Sequence, residues 1–166
     1  MKKNHLIFFI IMLSACSSYQ RKITDQRLYE KVQSASGSHT VSALTDQDFD
    51  KILTYISQGS APWLELYPEF KEKTFQGITS FQEGLDVSMA YALSINPVST
   101  LKFITKKNVD IICSFPFIEP TRQEIYTYYN NTRTTLLPLS KENHLAERCL
   151  HTLNLNIKQI IQTSTE

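Results

Sequence analysis

Glycine is scarce, with four in 166 residues. Phosphate cradles and nucleophile elbows are built from glycines at fixed spacing, and the chain contains neither a Gly-rich phosphate loop nor a Gly-x-Ser-x-Gly pentapeptide. Of the three cysteines, no two form a Cys-x-x-Cys pair, which removes the common redox and zinc-knuckle signatures. Charge of one sign is also missing: 17 basic residues face 16 acidic ones, so there is no basic field for nucleic acid. Past residue 16 no apolar run approaches the length of a membrane span. No internal repeat is present. Tryptophan occurs once, at Trp63.

What is present reads as a helical globular domain. Hydrophobic residues make up 42% and charged residues 20%, and the length suits one domain with a real core. The chain is organised around residues 80–118, which read as a helix, an Asn-Pro corner, a second short helix, then an apolar run through Cys113 to Phe115-Pro116-Phe117-Ile118. Ser80-Phe81-Gln82-Glu83 has the form of a capping box. Phe81, Leu85, Ser88, Met89, Ala92 and Leu93 follow at helical spacing, and the second half is apolar nearly all round, as a central helix would be. Gly84 is its weak point unless a neighbour packs closely there. Asn96 with Pro97 is an N-cap and N1 pair. Val98, Leu101 and Ile104 are expected to form the buried face of the second helix, which Lys106, Lys107 and a left-handed Asn108 would end. Ile111-Ile112 is a candidate for locally extended chain.

On either side of that stretch the helix signals continue. Thr45 caps a helix with Asp46 and Asp48 in its first turn and Phe49, Ile52, Leu53 and Ile56 inward. Gly59 closes it, and Pro62 opens a short helix with Trp63, Leu64, Leu66 and Tyr67 before Pro68. Residues 74–79 read as a loop. Thr121-Arg122-Gln123-Glu124 is a second capping box, followed by Ile125, Tyr128, Tyr129, Thr132 and Leu136, with Pro138 as the stop. Ser140 is expected to cap the last helix, with Leu145, Cys149, Leu153, Ile157, Ile160 and Ile161 inward. The fold expected is all-α, a compact bundle of about five or six short helices over residues 45–162, with one disulfide and a frayed tail at 163–166. A helical array with a short strand is the alternative.

The first residues carry a different signal. Lys2 and Lys3 precede the apolar run of residues 6–13, as in a secretion signal over residues 1–15. The run ends in Leu13-Ser14-Ala15-Cys16, which resembles the lipobox of bacterial lipoproteins. The resemblance implies cleavage before Cys16, lipid on its sulfur, and anchoring through acyl chains worth about 0.8 kcal/mol per buried CH₂. Ser17 after that cysteine is similar to lipoproteins of the outer membrane, at its periplasmic face. Residues 16–44 read as a lipidated flexible tether, Ser34-Ala35-Ser36-Gly37-Ser38 having linker composition, though residues 24–33 suit a short helix. Without Lys2 and Lys3, fifteen basic residues remain against the 16 acidic ones.

With Cys16 lipidated, Cys113 and Cys149 are an even pair in an oxidising compartment, and a disulfide is expected. His151 lies two residues from Cys149, on another helix face, which argues against a nucleophilic cysteine. His144, Glu147 and His151 share a face without the spacing of a metalloprotease motif, so a Glu147–His151 surface pair is preferred to a metal site. Glu65, Glu69 and Glu72 form an acidic row, read as a solvated face rather than as catalytic carboxylates. No cofactor is expected. The function expected is non-enzymatic: a protein-binding envelope lipoprotein, in a narrower version an inhibitor of a periplasmic toxin. In size, export and helical fold the mature domain loosely resembles immunity proteins of type VI secretion, with no motif in common. A structural or assembly lipoprotein is the alternative, and a hydrolase with scattered acids is disfavoured. The partner surface expected is Trp63, Tyr67, Glu65 and Glu69, since tryptophan and tyrosine dominate binding hot spots. Its rival places Trp63 in the core against the Phe49 helix.

Overall fold

The computed structural model describes residues 25–163. The expected signal segment, the lipobox-like residues with Cys16, the first part of the expected tether and the last three residues lie outside that range. Ten helices and no strand are found among the described residues, and five of the helices have seven residues or more. The fold is all-α, with a Cys113–Cys149 disulfide whose Cα atoms are 4.9 Å apart. The chain divides into two compact units, one ending at Asp48 and one beginning at Phe49.

In the first unit a helix, α1, covers residues 25–38. Leu28, Val32 and Ala35 are its buried residues, at i, i+4 and i+7. The serine-rich run at 34–38, expected to be linker, is therefore its last turn. Composition suggested flexibility there, but Ala35 continues the buried stripe. Thr45 then caps α2 (Asp46–Ser57). Its hydroxyl accepts from the Asp48 N–H at 3.2 Å, and the Asp48 carboxylate accepts from the Thr45 N–H at 3.1 Å. Lys31 reaches the same carboxylate at 3.0 Å.

The second unit is built on α6 (Thr79–Ile95), which packs against α5 (Lys73–Gln76), α7 (Pro97–Leu101), α8 (Val109–Ile112) and α9 (Arg122–Leu139). The expected central helix is thus present. Its start is not as expected. Ile78 occupies the N-cap position without a side-chain bond, and Ser80 lies inside the helix. The Gln82 amide instead donates to the carbonyls of Phe70 at 2.8 Å and Phe75 at 3.3 Å. Those bonds tie the first turn of α6 to the short helices α4 (Tyr67–Phe70) and α5, and the latter replaces the loop expected at 74–79. Phe70, Phe75 and Phe81 meet there edge-on and tilted, with Phe49 on Phe81 at 4.8 Å. Gly84 has its close neighbour: a Cβ there would stand 2.6 Å from Leu53 Cδ1.

Gly59 ends α2 at φ +70°, and α3 (Ala61–Leu64) follows. Asn96 caps α7 as expected, accepting from the Ser99 N–H at 3.3 Å, and it donates to the Gly59 carbonyl at 2.9 Å. The helix it starts stops at Leu101. Val98 is exposed rather than inward, and Asn108 opens α8 instead of ending α7. Ile111 and Ile112 belong to α8, not to an extended segment. The Thr121 capping box is complete, and α9 runs one residue past Pro138. Asn143, not Ser140, caps α10 (His144–Thr163), its Oδ1 accepting from the N–H of Leu145 and of Ala146. α9 and α10 pair antiparallel, with the Tyr129 hydroxyl donating to Asn154 at 2.8 Å.

Candidate functional site

The expected partner surface is rearranged by packing. Trp63 is buried, and its ring stacks on Tyr55 of α2 at 5.1 Å and 17°. The premise of a partly exposed tryptophan fails, because the indole is covered by the Tyr55 ring and α3 packs against α7 (Pro97–Leu101). Tyr67 is buried as well. Its hydroxyl donates to Asp86 at 3.1 Å and accepts from the Asn108 amide at 3.3 Å. Burial pushes this phenol far above its ordinary value, the Asp86 charge adds to the rise, and the Asn108 bond opposes it. Glu65 is exposed and pairs with Lys102 at 3.1 Å, while Glu69 is half-buried. The four residues do not form one accessible patch.

Beside Tyr67 lies an open groove of about 590 Å³. Its apolar surface comes from Tyr67, Pro68, Phe103 and Ile111, with the Tyr67 and Phe103 rings 6.3 Å apart. Asn108 holds the connection between α7 and α8 in place. Its Oδ1 accepts from the Thr105 N–H at 2.6 Å and its amide donates to the Phe103 carbonyl at 3.0 Å. Lys71, Lys102 and Lys107 stand around the groove, and Asp86 is its one lining carboxylate. Lys71 meets Asp86 at 2.7 Å and lies over the Tyr67 ring at 5.5 Å.

A second surface is the connection of residues 114–120. Phe115 and Phe117 pack on Tyr128 at 5.6 and 5.5 Å, and Phe117 also packs on Tyr91 at 5.8 Å. Tyr128 is fixed beneath them by its hydroxyl bond to the Ala90 carbonyl at 2.9 Å. Burial, more than any charge, raises this phenol far above its ordinary value, so it stays protonated as the donor. Asn156 of α10 donates to the Ser114 hydroxyl at 3.0 Å. Glu119 takes the left-handed φ of +52°, uncommon for a residue with a Cβ. Between these anchors Ile118 is 95% exposed. The sequence signal for this loop was Pro116 and Pro120 on either side of an apolar pair, since two prolines four residues apart disfavour a helix between them.

The other residues singled out are dispersed. His144, Glu147 and His151 line a shallow depression on α10 together with Arg148 and Asn154. Among the described residues no group of three or more His, Cys, Asp or Glu is arranged to hold a metal ion. Cys113 and Cys149 are consumed by the disulfide. No helix of the described residues is long and apolar enough to cross a membrane. Comparison with protein-family models, with curated proteins and with solved structures gives no match.

Proposed function

We propose that this protein is a non-enzymatic, protein-binding lipoprotein of the bacterial cell envelope. In this reading it is anchored through Cys16 at the periplasmic face of the outer membrane and engages its partner through residues 114–120. One observation carries the binding half: Ile118 is 95% exposed on a connection whose neighbouring rings are packed and whose ends are braced. A large apolar side chain already held outward loses little freedom on docking, and burying it is worth about 1.5–3 kcal/mol. The disulfide suits an oxidising compartment. Inhibition of a periplasmic toxin is the narrower form of the proposal, supported by size and by the helical fold.

The test joins anchoring and binding. A photo-crosslinker at position 118 of the full chain is expected to trap a discrete envelope protein, and Ile118→Asp to lose that partner in a pull-down without a change in melting. Cys16→Ala is expected to lose incorporation of a fatty-acid probe. Capture unaffected by Ile118→Asp refutes the binding surface, and continued labelling of Cys16→Ala refutes the lipid anchor.

A further inference from the structure

We infer that the groove beside Tyr67 is a second docking site, which takes an acidic segment of a protein partner with one or two large apolar side chains at its centre. The inference rests on the protein-binding reading and names a different surface for it. Three lysines border the groove against the single carboxylate of Asp86, and that carboxylate is occupied by Lys71 and by the Tyr67 hydroxyl. Lys107 is exposed and forms no salt bridge among the described residues. Among the described residues Lys102 has only the exposed Glu65 as ion-pair partner, a surface pair of low value and easily exchanged for another carboxylate. The occupant is therefore anionic.

The floor sets the second requirement. Ile111 is 56% exposed and faces the groove with Pro68 and Phe103. A volume of about 590 Å³ lies in the range of sites that accept one or a few side chains. The groove is open to solvent, which suits a segment laid across it. An apolar side chain would cover Ile111 and Phe103 while carboxylates on either side meet Lys102 and Lys107. The Asn108 bonds hold the α7–α8 connection in shape beforehand, so docking does not have to order it.

The experiment measures fluorescence anisotropy of the full chain with a labelled dodecapeptide in which Asp and Glu flank a central Phe-Leu pair. Two comparators replace its acids by Lys, or its Phe-Leu by Ser-Ser. Saturable binding of the acidic Phe-Leu peptide alone is expected, weakening by about tenfold with Lys107→Glu or with Lys102→Glu. Lys107→Arg retains it. Ile111→Asp, at an exposed position, weakens it by a similar factor with melting unchanged. The proposal is overturned by absence of saturable binding, by equal binding of the Lys peptide, or by insensitivity to Lys107→Glu and Ile111→Asp. It is overturned as well if octanoate saturates the groove while the peptides do not, or if the groove proves to be filled by a second copy, seen as a dimer that Lys107→Glu dissociates. Ile118→Asp leaves peptide binding unchanged, so failure at one surface is distinguishable from failure at the other.

Discussion

Replacing Asn96 with Ala is expected to cost about 2–4 kcal/mol, because one side chain serves two backbone groups. Its Oδ1 caps α7 at the Ser99 N–H, and a cap is worth about 1 kcal/mol. Its amide donates to the Gly59 carbonyl at 2.9 Å, and Gly59 is buried. Leaving a buried acceptor unpaired costs a further 1–3 kcal/mol or so. Melting of a domain of this size falls by about 3–5 °C per kcal/mol, so a drop of about 10 °C is expected in thermal denaturation followed by circular dichroism. Asn96→Asp separates the two parts. It keeps the capping oxygen but has no donor for Gly59, and should lose only the share of the unpaired acceptor, about 1–3 kcal/mol. Gly59→Ala strikes the same junction from the other side, since φ is +70° and the new Cβ would lie 2.9 Å from Asn96 Cβ. If Asn96→Ala melts within about 2 °C of the parent, the junction carries no such energy and the reasoning fails.

Other perturbations test other parts of the fold. Cys113→Ser with Cys149→Ser reopens a loop closed over a separation of 36 residues, and should cost about 4 kcal/mol in chain entropy, read from denaturant curves. Trp63→Ala removes the ring stacked on Tyr55 and should destabilise by about 3–5 kcal/mol, while the parent shows blue-shifted fluorescence poorly quenched by iodide. Gly84→Ala should yield none of the usual gain of about 1 kcal/mol until Leu53→Ala clears the space, a non-additivity that a double-mutant cycle would detect. At Asp48, burial pushes the carboxyl upward, but the Thr45 N–H, Lys31 and the Thr45 hydroxyl outweigh it and hold the value below the ordinary one. The folded value is depressed, so its stabilisation is complete above the ordinary carboxylate range near pH 4 and disappears as pH falls through the lowered value. Asp48→Asn should flatten that part of the melting-versus-pH profile.

Local motifs were legible where their demands were local. Thr121 and Glu124 satisfy each other within four residues, and Asn96-Pro97 fixes a corner by its own geometry. Ser80-Phe81-Gln82-Glu83 has the same form and fails, because the helix already starts at Thr79, where Gln82 ties its first turn to carbonyls 12 and 7 residues away. The four-residue helices α4, α5 and α8 were invisible, since a single turn carries no period. The long helices, whose buried residues recur over several turns, were readable, and so was the disulfide from an even cysteine pair. The site was the least legible part. Burial of Trp63 depends on Tyr55, and the groove exists only when residues 67, 103 and 111 meet. The exposure of Ile118 follows from rings on α6 and α9 that hold its neighbours.

The two proposed surfaces share one support. α8 is four residues long and cannot hold itself by helix propagation, since a single turn pays the cost of nucleation without the return from length. It is fixed instead by what it touches: Val109 and Ile112 are fully buried, α8 packs on α6, and Cys113 at its end is bonded to α10. Ile111, on the same turn, forms part of the groove wall. Ser114, the next residue after the disulfide, begins the connection that presents Ile118 and takes a hydrogen bond from Asn156 on α10. The bond between Cys113 and Cys149 therefore fixes the end of one surface and the start of the other against a helix of 20 residues. Its contribution to chain entropy is a property of the unfolded state, whereas its contribution to these surfaces is positional. Global stability and surface order thus depend on the same two cysteines for separate physical reasons.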